Sequence, residues 1–172
     1  RILLDCGMIQ GSPEQEARNA EPFSFDPASI DALVLSHAHI DHIGRVPLLV
    51  KRGFRGPIFA QAATADLMPI MLLDAASLAE NDAERANRRR ANGVPEIVPL
   101  YLREDVVDAV KQVRKVDYDT RTTIAPGIDI TFRDAGHILG SCIVELWADG
   151  KKLVNGKPHG HGPEMIKIAP DM

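Results

Sequence analysis

Ser36-His37-Ala38-His39-Ile40-Asp41-His42 sets three imidazoles and one carboxylate within six consecutive positions, and those three are half of the chain's six histidines. The cluster follows the apolar run Ala32-Leu33-Val34-Leu35, which reads as a short buried strand, and precedes a segment with helical patterning. A strand-to-helix junction is where a loop can hold functional groups on a rigid scaffold. His37 and His39, two apart, point the same way from an extended segment, while Asp41 and His42 point elsewhere as the chain turns into the helix. One loop can thus serve two adjacent metal ions, His37 and His39 at one, Asp41 and His42 at the other. Imidazole nitrogen and carboxylate oxygen suit zinc, which binds them at about 2.0–2.2 Å in tetrahedral sites. Two such ions roughly 3.5–4 Å apart can steady both the attacking and the leaving oxygen of a displacement. An accidental surface cluster is the weaker reading of so dense a motif.

Working outward, Ile2-Leu3-Leu4 reads as a strand that starts at once after Arg1, and a chain seldom begins inside an apolar strand. The expectation is that an N-terminal stretch is missing. Residues 43–52 are predicted helical and 57–60 a second short strand. The longest helical pattern covers residues 64–90, with Leu67, Met68, Met71, Leu72, Ala75, Leu78 and Ala79 on one stripe. Residues 103–116 are predicted as another amphipathic helix, with Val106, Val110 and Val113 facing inward. Residues 128–132 and 141–147 alternate as strands, and Asp149-Gly150 is a hairpin turn into a last strand over 151–154. Short strands mixed with helices indicate the α/β class.

The cluster and its neighbours resemble the metallo-β-lactamase superfamily, whose signature is His-x-His-x-Asp-His after a strand. Leu3-Leu4-Asp5-Cys6-Gly7 is similar to its first motif and Asp134-Ala135-Gly136-His137-Ile138-Leu139-Gly140-Ser141 to its third. The resemblance implies a metallo-β-lactamase-type αβ/βα sandwich, here incomplete at both ends. It also implies two Zn2+ ions in the intact parent protein. His37, His39 and His137 would hold the first, Asp41 and His42 the second, with Asp41 and His42 also taking part in catalysis. Asp5 would orient a ligand histidine rather than bind metal, as carboxylates behind metal-bound imidazoles do.

Gly44-Arg45-Val46-Pro47-Leu48-Leu49, the third motif, Glu80-Asn81-Asp82 and Tyr101-Leu102-Arg103-Glu104-Asp105 are similar to the β-CASP branch. That branch includes the cleavage and polyadenylation endonuclease, its bacterial and archaeal relatives, and ribonuclease J. The implied activity is zinc-dependent cleavage of RNA phosphodiester bonds through a metal-bound hydroxide, with single-stranded DNA a further substrate and a homodimer compatible with the branch. Alternatives are another hydrolase of the superfamily, acting on a thioester, lactam or lactone, and a non-catalytic partner subunit.

The resemblance covers residues 1–154, read as a partial metallo-β-lactamase domain. Residues 155–172 read as a loop-like tail of uncertain origin. The superfamily's bridging aspartate is not found after the last strand, where Asn155-Gly156-Lys157 stands, and Asp149 reads as a turn residue. His159 and His161 lie in a Gly-rich stretch that suits loop better than ligand. The expectation is a fragment of reduced activity whose second zinc is weakly held.

The 172 residues suit one domain, and 45% hydrophobic with 26% charged residues excludes disorder. A net charge of −4 excludes a nucleic-acid binder that works by bulk positive charge, but not one that grips phosphate through metal ions. No run of 18 consecutive apolar residues is found, so no membrane contact is expected. Two cysteines, Cys6 and Cys142, read as core residues and fit a reducing, cytoplasmic compartment. Arg85, Arg88, Arg89 and Arg90 form a basic run that could touch an RNA backbone, although cations also favour a helix C-terminus. Trp147 reads as packing.

Overall fold

The computed structural model describes residues 1–155 and the strand at 164–166. A parallel sheet comes first. β1 (Ile2–Leu4) pairs with β2 (Ala32–Val34), β2 with β3 (Ile58–Gln61), and β3 with β4 (Val113–Val116), all in parallel. Parallel strands need crossovers. α2 (Ile40–Ile43) and α3 (Val46–Lys51) supply the one between β2 and β3, while α4 (Ala62–Arg88) and α5 (Arg103–Lys111) supply the next. α1 (Pro13–Ala17) lies in the β1–β2 connection, capped by Ser12, whose hydroxyl accepts from Gln15 N while Gln15 Oε1 accepts from Ser12 N.

A second, antiparallel sheet runs β5 (Thr122–Ala125), β6 (Ile128–Asp134), β7 (Cys142–Ala148) and β8 (Lys151–Asn155). Alternation explains how the sheets meet. Ile2 and Leu4 join Val34, Phe59 and Val116 in one core with Ile130, Phe132, Val144 and Leu146 from the second sheet. Leu3 and Leu33 point the other way, into a core shared with Leu49, Met68, Leu72 and Val106 of the helices. Strands buried on both faces are apolar throughout, which is why β1 and β2 read as continuous runs. The described layers are therefore helices, parallel sheet, antiparallel sheet.

Several expectations need correction. The predicted helix over 103–116 ends at Lys111, and Val113–Val116 is strand β4, in register with β3 from Ile58↔Val113 to Gln61↔Val116. Valines spaced three and four apart fit a helix, but an open sheet edge and β-branched side chains favour the strand. The segment predicted as one helix over 43–52 is two. Ile40–Ile43 forms a single turn and Val46–Lys51 a second helix, with Pro47 in its first turn, where its missing N–H costs nothing. β5 was not foreseen, because Thr122–Ala125 is short and only half apolar. Within the tail expected to be loop-like, Glu164–Ile166 forms a strand, β9, antiparallel to β1. His159 and His161 lie outside the described residues.

α4 also qualifies the membrane expectation. It has no 18-residue apolar run, yet by length and composition it is the one described helix that could cross a membrane. The core helix of a globular domain passes the same test, and Met68, Leu72 and Ala76 are fully buried against the parallel sheet's helix-side core.

Candidate metal centre

The site forms at the C-terminal ends of β1 and β2, where the ligands of open parallel sheets usually gather. β1 ends in Asp5, whose backbone takes the left-handed conformation at φ 55°. That costs a non-glycine residue about 1 kcal/mol or more, and here it aims the carboxylate across at the end of β2. Asp5 Oδ1 accepts from Ser36 N–H at 2.7 Å, and Oδ2 accepts the Ser36 hydroxyl at 2.7 Å. The same Oδ2 lies 2.7 Å from His42 Nδ1.

The chain after Asp5 clamps the histidine loop by its backbone. Cys6 N–H donates to His42 C=O at 2.8 Å, Met8 N–H to Ile40 C=O at 3.0 Å, and Arg45 N–H to Cys6 C=O at 2.9 Å. Gly7 sits so close that a Cβ there would lie 1.5 Å from the carbonyl oxygen of Asp41. Glycine is required by contact, not by its φ.

His37, His39 and His137 converge. His37 Nε2 is 3.1 Å from His39 Nδ1, and His137 Nε2 is 3.2 Å from that same Nδ1. Zinc bound to imidazoles at about 2.05 Å in a tetrahedron separates its ligand nitrogens by about 3.3 Å. Both separations from His39 Nδ1 therefore match such a site, and the three ligand atoms all lie within 4.8 Å of one another, running from buried His37 through His39 to exposed His137. Burial, with repulsion from His42 added, holds the His37 imidazole down to about 4, below the usual histidine value. A neutral ring with a free lone pair is the form a metal ion needs. Asp41 Oδ2 lies 3.6 Å from His42 Nε2, and the His42 ring centroid lies 4.0 Å from that of His37, with the planes tilted by 47°. The five residues the sequence singles out as ligands thus share one site, with Asp5 behind them.

His137 reaches the triad on a turn between β6 and β7 that its own polar groups build. Asp134 Oδ1 accepts from Gly136 N–H at 2.9 Å, and Ser141 Oγ accepts from the N–H groups of His137 and Ile138 at 3.1 and 3.2 Å. Gly140, at φ 82°, packs on the start of α4, where Thr64 Oγ1 donates to its carbonyl at 2.8 Å. Ser36, Thr64 and Ser141 were not recognised as site residues from sequence. The available signal for Ser36 and Ser141 was their position, next to His37 and at the end of the Gly-rich turn, whereas nothing in the sequence marks Thr64.

The basic run is not drawn to this centre. α4 begins beside it at Gln61–Thr64, and Arg85 lies about 35 Å further along the helix axis at about 1.5 Å per residue. Arg85 and Arg88 pair with Asp82 and Glu84 of their own helix, Arg89 forms its C-cap, and Arg90 donates to Val94 C=O. Cys6 and Cys142 are buried free thiols, and burial pushes the first up to about 12 and raises the second as well. Trp147 carries the cations of Arg121 and Lys152 over its ring, 4.6 and 4.8 Å from the centroid.

The sequence profile of the Metallo-beta-lactamase superfamily matches residues 1–114, which hold Asp5 and the whole histidine loop. The chain belongs to the metallo-beta-lactamase superfamily. Among curated superfamily relatives, it is 39% identical over 154 residues to "Ribonuclease TTHA0252" of Thermus thermophilus, a match covering 90% of this chain and 31% of that protein. It is 38% identical over 148 residues to "Transcription termination factor FttA" of Methanosarcina mazei, covering 83% of this chain and 21% of that one. The chain thus spans less than a third of the length of these metallo-beta-lactamase relatives. Among solved structures, MEM-A1, a subclass B3 metallo-beta-lactamase from a soil metagenome library, matches 89% of this chain and 50% of its own. The TM-score is 0.48 and the identity 20%.

Proposed function

We propose that this chain is the metal-binding part of a zinc-dependent RNA hydrolase of the β-CASP branch, working in the cytoplasm. The observation that carries this reading is the convergence of His37 Nε2, His39 Nδ1 and His137 Nε2 at zinc-like spacing, beside Asp41 and His42. The names of the two relatives, a ribonuclease and a transcription termination factor, support RNA as the substrate class.

His37, His39 and His137 would hold one ion, and Asp41 and His42 would contribute to a second. Zinc supplies a Lewis acid for the phosphate oxygens and a water that ionises near neutral pH. Asp5 fixes the ring of His42, and the exposed edge at His137 leaves the site open to a strand of nucleic acid. Bound zinc would supply positive charge beside these side chains, which reconciles phosphodiester chemistry with a chain of net charge −4. With two side chains at the second position against three at the first, the chain alone is expected to cleave slowly.

The test is end-labelled single-stranded RNA incubated with the purified zinc-loaded chain and with its Asp41→Ala variant. Cleavage should vanish with a chelator, return with zinc, and fall at least about 100-fold in the variant. Equal cleavage by both proteins, or none by the parent, contradicts the reading. A single-stranded DNA of the same sequence measures the preference for RNA.

A further inference from the structure

We infer that Ser36 is a positioning residue whose hydroxyl couples Asp5 to His37, so that one carboxylate sets the ligand nitrogen of both His37 and His42. The inference rests on the proposed metal site.

The argument is a count of hydrogens. Ser36 Oγ lies 2.7 Å from Asp5 Oδ2, 3.0 Å from His37 Nδ1 and 3.2 Å from His42 Nδ1. A serine hydroxyl has one hydrogen to give and two lone pairs to receive, and a carboxylate can only accept. The shortest contact therefore takes the Ser36 hydrogen to Asp5. Ser36 then has none left for His37, so the 3.0 Å contact must run the other way, from His37 Nδ1–H to Ser36 Oγ. His37 Nε2 is left with its lone pair, and that is the nitrogen 3.1 Å from His39 Nδ1 in the ligand cluster. His42 follows the same logic directly. Its Nδ1–H donates to Asp5 Oδ2 at 2.7 Å, leaving Nε2 on the side of Asp41.

Asp5 makes no direct hydrogen bond to His37 among the described residues: Oδ1 accepts the Ser36 backbone N–H, Oδ2 serves Ser36 and His42, and His37 Nδ1 meets the Ser36 hydroxyl instead. The hydroxyl extends its reach by one bond. Ser36 is itself held in place, since its carbonyl accepts from Cys142 N–H at 2.8 Å, tying the end of β2 to the second sheet. Partners behind metal-bound histidines are worth about 10–100-fold in metal affinity. The structure places Ser36 in that class.

The test reads the ring directly. Long-range proton–nitrogen NMR of the full chain, zinc-free and near neutral pH, should show the His37 hydrogen on Nδ1. In Ser36→Ala that preference should be lost, and zinc affinity by competition with a chromophoric chelator should fall by about 10–100-fold. Ser36→Thr, which keeps the hydroxyl, should restore both, and an unchanged melting temperature in each variant separates positioning from folding. A hydrogen on His37 Nε2 in the parent, or a Ser36→Ala protein with the parent's tautomer and zinc affinity, overturns the inference. The zinc-free spectrum needs neither metal nor RNA. Failure to bind zinc or to cut RNA would therefore count against the proposed function while this measurement still decides the role of Ser36.

Discussion

Asp5 Oδ2 and His42 Nδ1, 37 residues apart in sequence, lie 2.7 Å from each other and join the end of β1 to the turn that follows β2. Asp5 is only 13% exposed and His42 5%, so the contact is shielded from solvent. Replacing Asp5 by Asn keeps the shape but offers an amide that competes for the wrong tautomer. Asp5→Asn is expected to weaken zinc binding by about 10–100-fold while leaving the secondary structure intact. Zinc titration beside circular dichroism checks it, and unchanged affinity would contradict it.

Gly7→Ala should be far more damaging than its size suggests. The added methyl would sit 1.5 Å from Asp41 O and 2.6 Å from His42 N, so the clamp on the histidine loop must open. Gly93→Ala is the control, with nothing within 4 Å of the new methyl. Urea unfolding should show a loss of several kcal/mol for the first and only about 1–2 kcal/mol for the second, whose left-handed φ of 87° carries the usual backbone cost.

How much of this was visible in sequence depends on range. Four of the five ligand candidates stand out because the chemistry of a metal site demands particular side chains and one loop packs them together, whereas His137 stands out only through the resemblance of its Gly-rich turn to the third motif. β1 and β2 stand out because burial on both faces leaves an unbroken apolar run. β4 did not, since Val113–Val116 owes its conformation to β3, more than 50 residues earlier, and not to its local pattern. Ser36 and Ser141 were marked by position alone, because a serine's role rests on which groups the fold brings to its oxygen. The split of the segment after the loop at Gly44–Arg45 follows from contacts with Met8 and Cys6 that no local pattern contains.

The metal-free protein should lose stability on the acid side of neutrality. His37 is held neutral down to about 4 when folded, whereas an unfolded histidine takes up a proton near 6.5. Between those values the unfolded chain binds the extra proton, so this contribution is complete above about pH 6.5, declines as pH falls toward 4, and is flat below. Urea midpoints from pH 7.5 to 4 check it, and His37→Gln should flatten that part of the profile.

Both thiols should be inert in the native state. Cys6 and Cys142 are buried and burial raises both, so little thiolate forms near neutral pH. A thiol-reactive chromophore should label two groups per chain in denaturant and none rapidly without it. Fast native labelling would show that the core around the site opens.

The most direct test of the zinc centre is anomalous diffraction collected on either side of the zinc edge from crystals of the chain grown with zinc. The account predicts a zinc peak bonded to His37 Nε2, His39 Nδ1 and His137 Nε2 at about 2.0–2.1 Å, with a weaker second peak at Asp41 and His42. A fully loaded centre that lacks His137, or no anomalous peak among these residues, would contradict it.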